Sequence, residues 1–458
     1  MKDSGGGPPR TVVVGQSGLA EKEHGLILRT EPQDQKGDEP MQVRIPTQEM
    51  EIADERVSVK EFEGWLFEAV REFVKTAWQM FVWAVEVRAI EQHPRGNLRV
   101  KGKERRTLLT TLGPVTFERR RFTCPDDESS FLLFDKRVGL RSNQRSTEAA
   151  DRLMAEMAAE SPYAPAARSL ERCWGRKVSA MRVWSAVQRL GHGAEGEVRE
   201  LRESVFRDGE LPGWEQPAPG YVGLEADSIM LAAWRERERH HEVHVGISYT
   251  AKAEHRGRYR LVDKGMCYGL EGSVQFGQDF LAMVQKRHNI ADVEHGTFLS
   301  DGAESLRNIQ REHFPRHVRG MDWRHVRAKV EEVYRPLPGE CHKELLKELY
   351  AERLEAALQQ IRAHARRFPR RAKQLKELST YLANAGNDLY AIRRLRRAGR
   401  LLPPRLQGSG GIERNEDVLV GQRMKRRGMS WTKSGASHLL AVRLRLLLSL
   451  QRIPPRRS

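Results

Sequence analysis

The sequence predicts a mixed α/β chain of several domains, on three observations. Strand-like segments begin after residue 218 and pass into alternating helical and strand-like segments up to about residue 336. Ahead of them lie an amphipathic helical pattern, a hairpin pattern and three short helical patterns. The chain has 458 residues, more than one ordinary domain holds, so two or three are expected.

Composition narrows the partners. The formal net charge is +17, and the sequence pI is about 9.9. A surplus of this size points to a polyanion, with nucleic acid ahead of an anionic membrane surface. No apolar run of about 18 residues occurs, so no membrane span is expected. Met1 to Arg10 holds no apolar stretch of the secretory kind. Cys124, Cys173, Cys267 and Cys341 stand far apart, with no CxxC pair. They fit neither a disulfide framework nor a zinc knuckle, and each reads as a packing residue in a reducing cytoplasm.

Residues 1–55 are rich in Gly, Pro, Asp, Glu and Gln, and a disordered tail is expected there. Residues 56–145 form an N-terminal region. In it Phe62, Trp65, Leu66, Val70, Phe73, Val74, Trp78 and Phe81 recur at helical spacing. The Trp residues suggest packing or a subunit contact. A β-hairpin follows over residues 97–123, broken near Gly113-Pro114. Its flanks carry Lys101, Lys103, Arg105 and Arg106, then Arg119, Arg120 and Arg121. Such a basic ribbon suits the phosphates or the major groove of DNA. A solvated hairpin on a basic protein explains the same pattern.

Residues 146–210 read as a helical, helix-turn-helix-like module. Ser179 is placed to cap its third helix, which carries Val183, Trp184, Val187 and Leu190 on one face and Arg182 and Arg189 on another. Pro212 to Pro219 reads as a linker.

Residues 218–336 hold the informative domain. Tyr221 to Trp234 is an apolar run interrupted by Glu225 and Asp227. Val243, Val245, Ile247 and Tyr249 alternate with polar neighbours, and a weaker third run covers Arg258 to Tyr268. An amphipathic helix then carries Phe276, Phe280, Met283 and Val284. A fourth strand ends at Asp301, and a fifth runs from His317 to Met321. Helices follow each of these two strands. Three strands, then helix, strand, helix, strand and helix is the order expected of a ribonuclease-H-like α/β core. Residues 337–404 are densely charged, with Leu345, Leu349, Leu354 and Leu358 at helical spacing, and read as a helical insertion. Residues 405–450 return to the core. The stretch from Arg393 to Arg427 is strongly basic, and the last helix is Leu-rich.

A carboxylate in an apolar strand costs free energy unless it is paired or binds a metal. Asp227 is such a residue. Asp301 ends a strand, where ligands gather in α/β sheets. Glu413 opens the final section, with Glu416 and Asp417 within one helical turn, so spacing alone leaves the third acid open. Three carboxylates are about the minimum for two hard divalent cations. Such a pair serves in-line phosphoryl displacement.

Local wording adds a resemblance. Phe298-Leu299-Ser300-Asp301-Gly302-Ala303-Glu304 with Leu306 resembles the second-aspartate motif of bacterial insertion-sequence DDE transposases, nearest the Kra-type and Lre-type families. Met321-Asp322-Trp323-Arg324-His325-Val326 is similar to their LDWFH motif. Gly408-Ser409-Gly410-Gly411-Ile412-Glu413, then Arg423-Met424-Lys425-Arg426-Arg427-Gly428-Met429-Ser430-Trp431, is similar to their C-terminal Glu block. The hairpin from Leu112 to Phe122 also resembles the family, so the likeness spans about residues 97–445.

The resemblance implies an RNase-H-like core and places catalysis on Asp227, Asp301 and Glu413. It selects Glu413 among the three neighbouring acids and expects two Mg²⁺ (or Mn²⁺) ions on the triad. It gives Asp322 and His325 supporting roles. The DNA-contacting residues expected are Arg105, Arg106, Arg119, Arg120, Arg121, Arg182, Arg423, Lys425, Arg426 and Arg427. The expected partners are double-stranded DNA, both element ends and target, and further copies of the chain, as a homodimer or higher oligomer. Departures from the pattern are Arg324 in place of the usual Phe, Glu225 beside Asp227, and Cys124 standing alone. The competing expectations are an inactive or domesticated sequence-specific DNA-binding protein and an RNase-H-like nuclease without strand transfer.

Overall fold

The computed structural model describes residues 11–12, 42–43, 58–92, 98–124, 129–213, 219–255, 258–293, 295–399, 411–426 and 428–451. Nearly all of the expected N-terminal tail, most of the Pro212 to Pro219 linker, Gly408 to Gly410 and Arg427 lie outside them. The fold is mixed α/β. Two-residue strands β1 (Thr11–Val12) and β2 (Gln42–Val43) pair in parallel. The chain divides into two compact units, Met1–Met154 with Ala167–Ser179, and Ala155–Ala166 with Ala180–Ser458.

The first unit is organised by α1 (Val59–Glu91) and a three-stranded sheet of β3 (Arg99–Thr110), β4 (Gly113–Thr123) and β5 (Ser130–Leu132). Ser58 and Glu61 form a reciprocal capping box at the start of α1. The hairpin turns at Thr111 and Leu112, and Gly113 supplies the positive φ of 101° that the turn needs. Alternation along the hairpin sends Leu108, Val115 and Phe117 inward, against Val82 of α1 and Phe134 of the short helix α2 (Leu133–Arg137). Trp78 stacks on Phe117 at 5.6 Å. The N-terminal half of α1 leaves Phe62, Trp65, Leu66 and Phe67 exposed.

Helices α3 (Glu148–Glu160), α4 (Tyr163–Trp174) and α5 (Ala180–Phe206) occupy the expected helical module. The third is far longer than the short helix expected. It lies wholly in the second unit, where Arg202 pairs with Asp279 at 2.9 Å.

The second unit is built on a five-stranded sheet. Its strands are β6 (Tyr221–Ala232), β7 (His240–Tyr249), β10 (Gly265–Gly269), β11 (His295–Ser300) and β12 (Val318–Met321), in the order β10-β7-β6-β11-β12. The first three are antiparallel neighbours, and β6, β11 and β12 run parallel. A separate hairpin, β8 (Ala251–His255) with β9 (Arg258–Val262), follows β7. Period-two geometry sorts β6. Val222, Leu224 and Ala226 join the core formed with α6 (Ser273–His288) and α7 (Glu304–His313), around Phe276, Phe280, Phe298 and Phe314. Glu225 and Asp227 therefore share the opposite face.

Helices α8 (Trp323–Tyr334), α9 (Gly339–Tyr350), α10 (Leu354–Arg367), α11 (Ala372–Ala385) and α12 (Asp388–Arg397) follow β12. They share one core, which includes Val330, Leu345, Leu349, Leu358, Ile361 and Leu378, so the Leu periodicity of the insertion marks burial. The chain returns as α13 (Gly411–Glu416), continues as a π-helical turn (Asp417–Lys425), and ends in α14 (Lys433–Gln451). Cys124, Cys267 and Cys341 are buried as expected, whereas Cys173 is exposed. Among the described residues, no helix is long and apolar enough to cross a membrane.

Candidate functional site

Sheet register builds the site. Leu299 of β11 pairs with Glu225 of β6, and Ser300 pairs with Met321 of β12, both in parallel. Continuing each register past the end of β11 brings Asp301 level with Asp227 on one side and with Asp322 on the other. Asp301 and Asp322 thus stand just past the carboxyl ends of β11 and β12, where open α/β sheets bind ligands, level with Asp227 inside β6. They line one cleft with Glu225, Ser300, His325 and Ile412.

Each aspartate is fixed locally. Asp227 Oδ1 accepts the Ser228 N–H at 2.8 Å, and Asp301 Oδ1 accepts the Ala303 N–H at 2.8 Å. Tyr381 of α11 donates its hydroxyl to the Asp301 carbonyl at 3.1 Å, so the helical insertion buttresses the loop. Asp322 caps α8 by accepting the Arg324 N–H at 2.8 Å. His325 lies one turn further on.

Glu413 reaches the cleft by a different route. Glu225 is buried and accepts the Tyr249 hydroxyl at 2.7 Å and the Ile412 N–H at 2.8 Å, with Lys252 Nζ at 3.3 Å. The Ile412 bond docks the first turn of α13 onto β6 and carries Glu413 to the row of aspartates. Gly411 eases the approach, because an added Cβ would stand 3.0 Å from the Glu225 carboxylate, which would have to shift. Glu225, noted in the sequence only as a second acid, is thus the residue that positions the third one. An i, i+2 pair of acids on a strand was its signal.

His325 Nε2 stands 3.5 Å from Asp227 Oδ2 and 3.5 Å from Glu413 Oε1. Arg324 Nη1 is also 3.5 Å from Glu413 Oε1. The Glu413 carboxylate pushes His325 up to about 9 despite its burial, with Asp227 and Asp322 adding to the effect. The ring is therefore an imidazolium at neutral pH. Burial opposes ionisation of Glu413, but His325, Asp322 and Arg324 hold it at about 2. Asp227 is raised, mainly by burial, with the charges of Asp301 and Glu413 adding to the shift. Burial and the Asp227 carboxylate push Glu416 up to about 8. Of the two acids near Glu413, Glu416 thus belongs to the cleft. Asp417 pairs with Arg426 at 2.6 Å and does not.

The tightest potential ligand group in the cleft is Asp322, His325 and Glu413, whose ligand atoms lie within 4.8 Å of one another. Asp227 and Asp301, predicted as ligands, line the same cleft beside it. The donor set fits hard divalent cations. It is mostly carboxylate oxygen, both Glu413 oxygens are buried without a formed hydrogen bond, and burial, with like charges beside it, disfavours the charge on Asp227 and Glu416.

The residues predicted to contact DNA divide sharply. Arg106 and Arg119 are buried on Asp135, and Arg120 pairs with the buried Glu86 at 2.6 Å. Arg121 pairs with Glu104 at 2.6 Å. Arg423 is buried, with its Nε donating to the Ala158 carbonyl at 2.9 Å and its guanidinium near Tyr163 and Trp431. Arg106, Arg119 and Arg423 thus face inward, where buried acceptors replace the phosphates expected for them. Arg182 is half-buried on α5. Arg105 is exposed and loosely held by Glu118, while Lys425 and Arg426 are exposed on the π-helical turn.

The chain matches the uncharacterised protein family UPF0236 over residues 52–447 and belongs to that family. No curated protein matches it.

Proposed function

We propose that this member of UPF0236 is the DNA transposase of an insertion sequence. It would bind element ends and catalyse metal-dependent strand cleavage and strand transfer. The observation that carries this reading is the level row of Asp227, Asp301 and Asp322, with Glu413 docked onto it through the Glu225–Ile412 bond. The antiparallel-then-parallel order β10-β7-β6-β11-β12, with α6 between β10 and β11, supports an RNase-H-like core. The order of the sequence motifs supports the same assignment.

In this reading Asp227, Asp301 and Glu413 hold two Mg²⁺ or Mn²⁺ ions. Ions held there would supply Lewis-acid stabilisation to the attacking and leaving oxygens of an in-line displacement. The chain's own residues do the rest. Rigid strands fix Asp227 and Asp301, and the α13 dock fixes Glu413. His325 is placed to donate a ring N–H toward a phosphate oxygen, where negative charge develops. The basic surplus draws the duplex, with Arg105, Lys425 and Arg426 outward-facing and the hairpin's inward arginines excluded. Two DNA ends in one complex call for a homodimer or higher oligomer. Chemistry on DNA sets the expected location at the nucleoid, in the cytoplasm.

Incubation with Mg²⁺ or Mn²⁺ and DNA carrying the inverted repeats that flank the gene tests the proposal. Wild-type protein is expected to nick at the repeat ends and to join pre-cleaved ends to target DNA. Equal nicking by Asp301→Ala protein would reject the catalytic assignment. Nicking without joining would leave a nuclease. Tight, salt-sensitive binding without either would leave a DNA-binding protein.

A further inference from the structure

A second group of potential metal ligands lies outside the acidic cleft, on two helices of the second unit. His192 and Glu195 are one turn apart on α5, and His438 faces them from α14. One ligand atom from each lies within 4.8 Å of the other two. Gly191 makes the approach possible. An added Cβ there would stand 2.5 Å from the His438 backbone, so only glycine lets α14 come this close.

The surroundings look prepared for an ion. His438 Nδ1 stands 2.6 Å from Gln188 Oε1, an atom that can only accept. The proton is therefore on Nδ1, and Nε2 is turned to Glu195 Oε2 at 3.4 Å. A partner on the far nitrogen that fixes the tautomer is what metal-binding histidines use. The His192 and His438 rings are edge-to-face with centres 6.0 Å apart. With a zinc–nitrogen bond of about 2 Å, two imidazoles sharing one tetrahedral ion have ring centres about 5 Å apart, so the rings would close by about 1 Å to bind it. Glu195 Oε1 is buried with no hydrogen-bond partner. His192 is exposed, which leaves an entry path and room for a water ligand.

We propose that His192, Glu195 and His438 form a second metal site, for a transition-metal dication of the zinc type, pinning α5 to α14. Two imidazoles and one carboxylate favour such an ion over Mg²⁺ or Ca²⁺, which prefer oxygen ligands throughout. The inference is independent of the proposed reaction.

Tag-free, full-length protein, as wild type and as Glu413→Gln to weaken the ligand group of the acidic cleft, is titrated with Zn²⁺ and followed by calorimetry and thermal melting. One equivalent of Zn²⁺ is expected to bind and to raise Tm by a few degrees. The His192→Ala variant changes an exposed side chain and is expected to fold, yet to lose both effects. Gln188→Leu is expected to weaken Zn²⁺ binding by about 10- to 100-fold, because it removes only the partner of Nδ1. Absence of Zn²⁺ uptake would show that Glu195 and His438 form only an ion pair and would overturn the proposal. Equal uptake by wild type and His192→Ala would overturn it as well.

Discussion

Two buried clusters of charge, one in each unit, are resolved in opposite ways. In the hairpin unit, Asp135 receives two guanidinium groups, from Arg106 and Arg119, while Arg120 covers Glu86. Every charge there has an opposite within reach. In the cleft of the second unit, the acids Asp227, Asp301, Asp322, Glu413 and Glu416 outnumber the cations beside them, His325, Arg324 and Lys425. The first cluster is a finished structural joint. The second holds more acids than bases, and the raised Asp227 and Glu416 show the strain of that excess.

The largest expected effect separates the clusters by what they do. In the transposase reading, Asp301→Ala is expected to lower Mg²⁺-dependent strand cleavage by roughly 10³-fold or more, with little change in the thermal melt. A melt that collapses along with the activity would erase the contrast. The mirror experiment is Asp135→Ala, which removes the buried carboxylate that Arg106 and Arg119 share. A loss of about 3–5 kcal/mol is expected in denaturant unfolding of the full chain. A loss near zero would mean that those arginines reach water.

A third prediction concerns a buried group with no charge partner. His317 is buried beside Phe314, and Gly296 leaves room for its ring. Burial depresses it to about 4. The unfolded chain binds this proton near pH 6.5, so stability is whole above that pH and falls as pH drops toward 4. The loss attributable to this group is on the order of 3 kcal/mol by pH 4. The His317→Phe variant, melted from pH 7 to pH 4, is expected to lose less than wild type. Identical slopes would sink the assignment. The smallest effect is expected at Arg105→Ala, which removes an exposed pair with Glu118 and costs under about 0.5 kcal/mol. In the transposase reading it still lowers DNA affinity and flattens the salt dependence by about one counterion, measurable by binding titrations over salt concentration.

Much of the architecture was legible because it follows from periodicity. Alternation along β6 and β7 and the 3.6-residue repeat of α6 mark the sheet and its covering helix, and the breaks at Asp301 and Asp322 mark strand ends. Asp301 was legible as a strand end and Asp227 as a carboxylate in an apolar strand, whereas Asp322 and Glu413 came only from the family resemblance. The arginines of the hairpin were not. Composition makes them look like a DNA-binding ribbon, and only the distant Asp135 and Glu86 turn Arg106, Arg119 and Arg120 inward. The reach of α5 was hidden too, because its Gly191 reads as a helix weakener until α14 is packed against it. Glu225 could be seen as a competitor of Asp227 but not as the dock of α13, since its partner Ile412 lies 187 residues away.

That dock has a temporal meaning. A growing chain emerges from the ribosome with Asp227 and Asp301 long before Glu413 exists. The sheet can assemble around its first two acids while the last is still unmade. In the transposase reading, cleavage competence arrives only when the C-terminal segment emerges and its backbone N–H finds Glu225. Premature termination before residue 411 therefore yields a product that carries the strands and two of the acids yet is inert. Such fragments would compete with complete chains for partners without cutting.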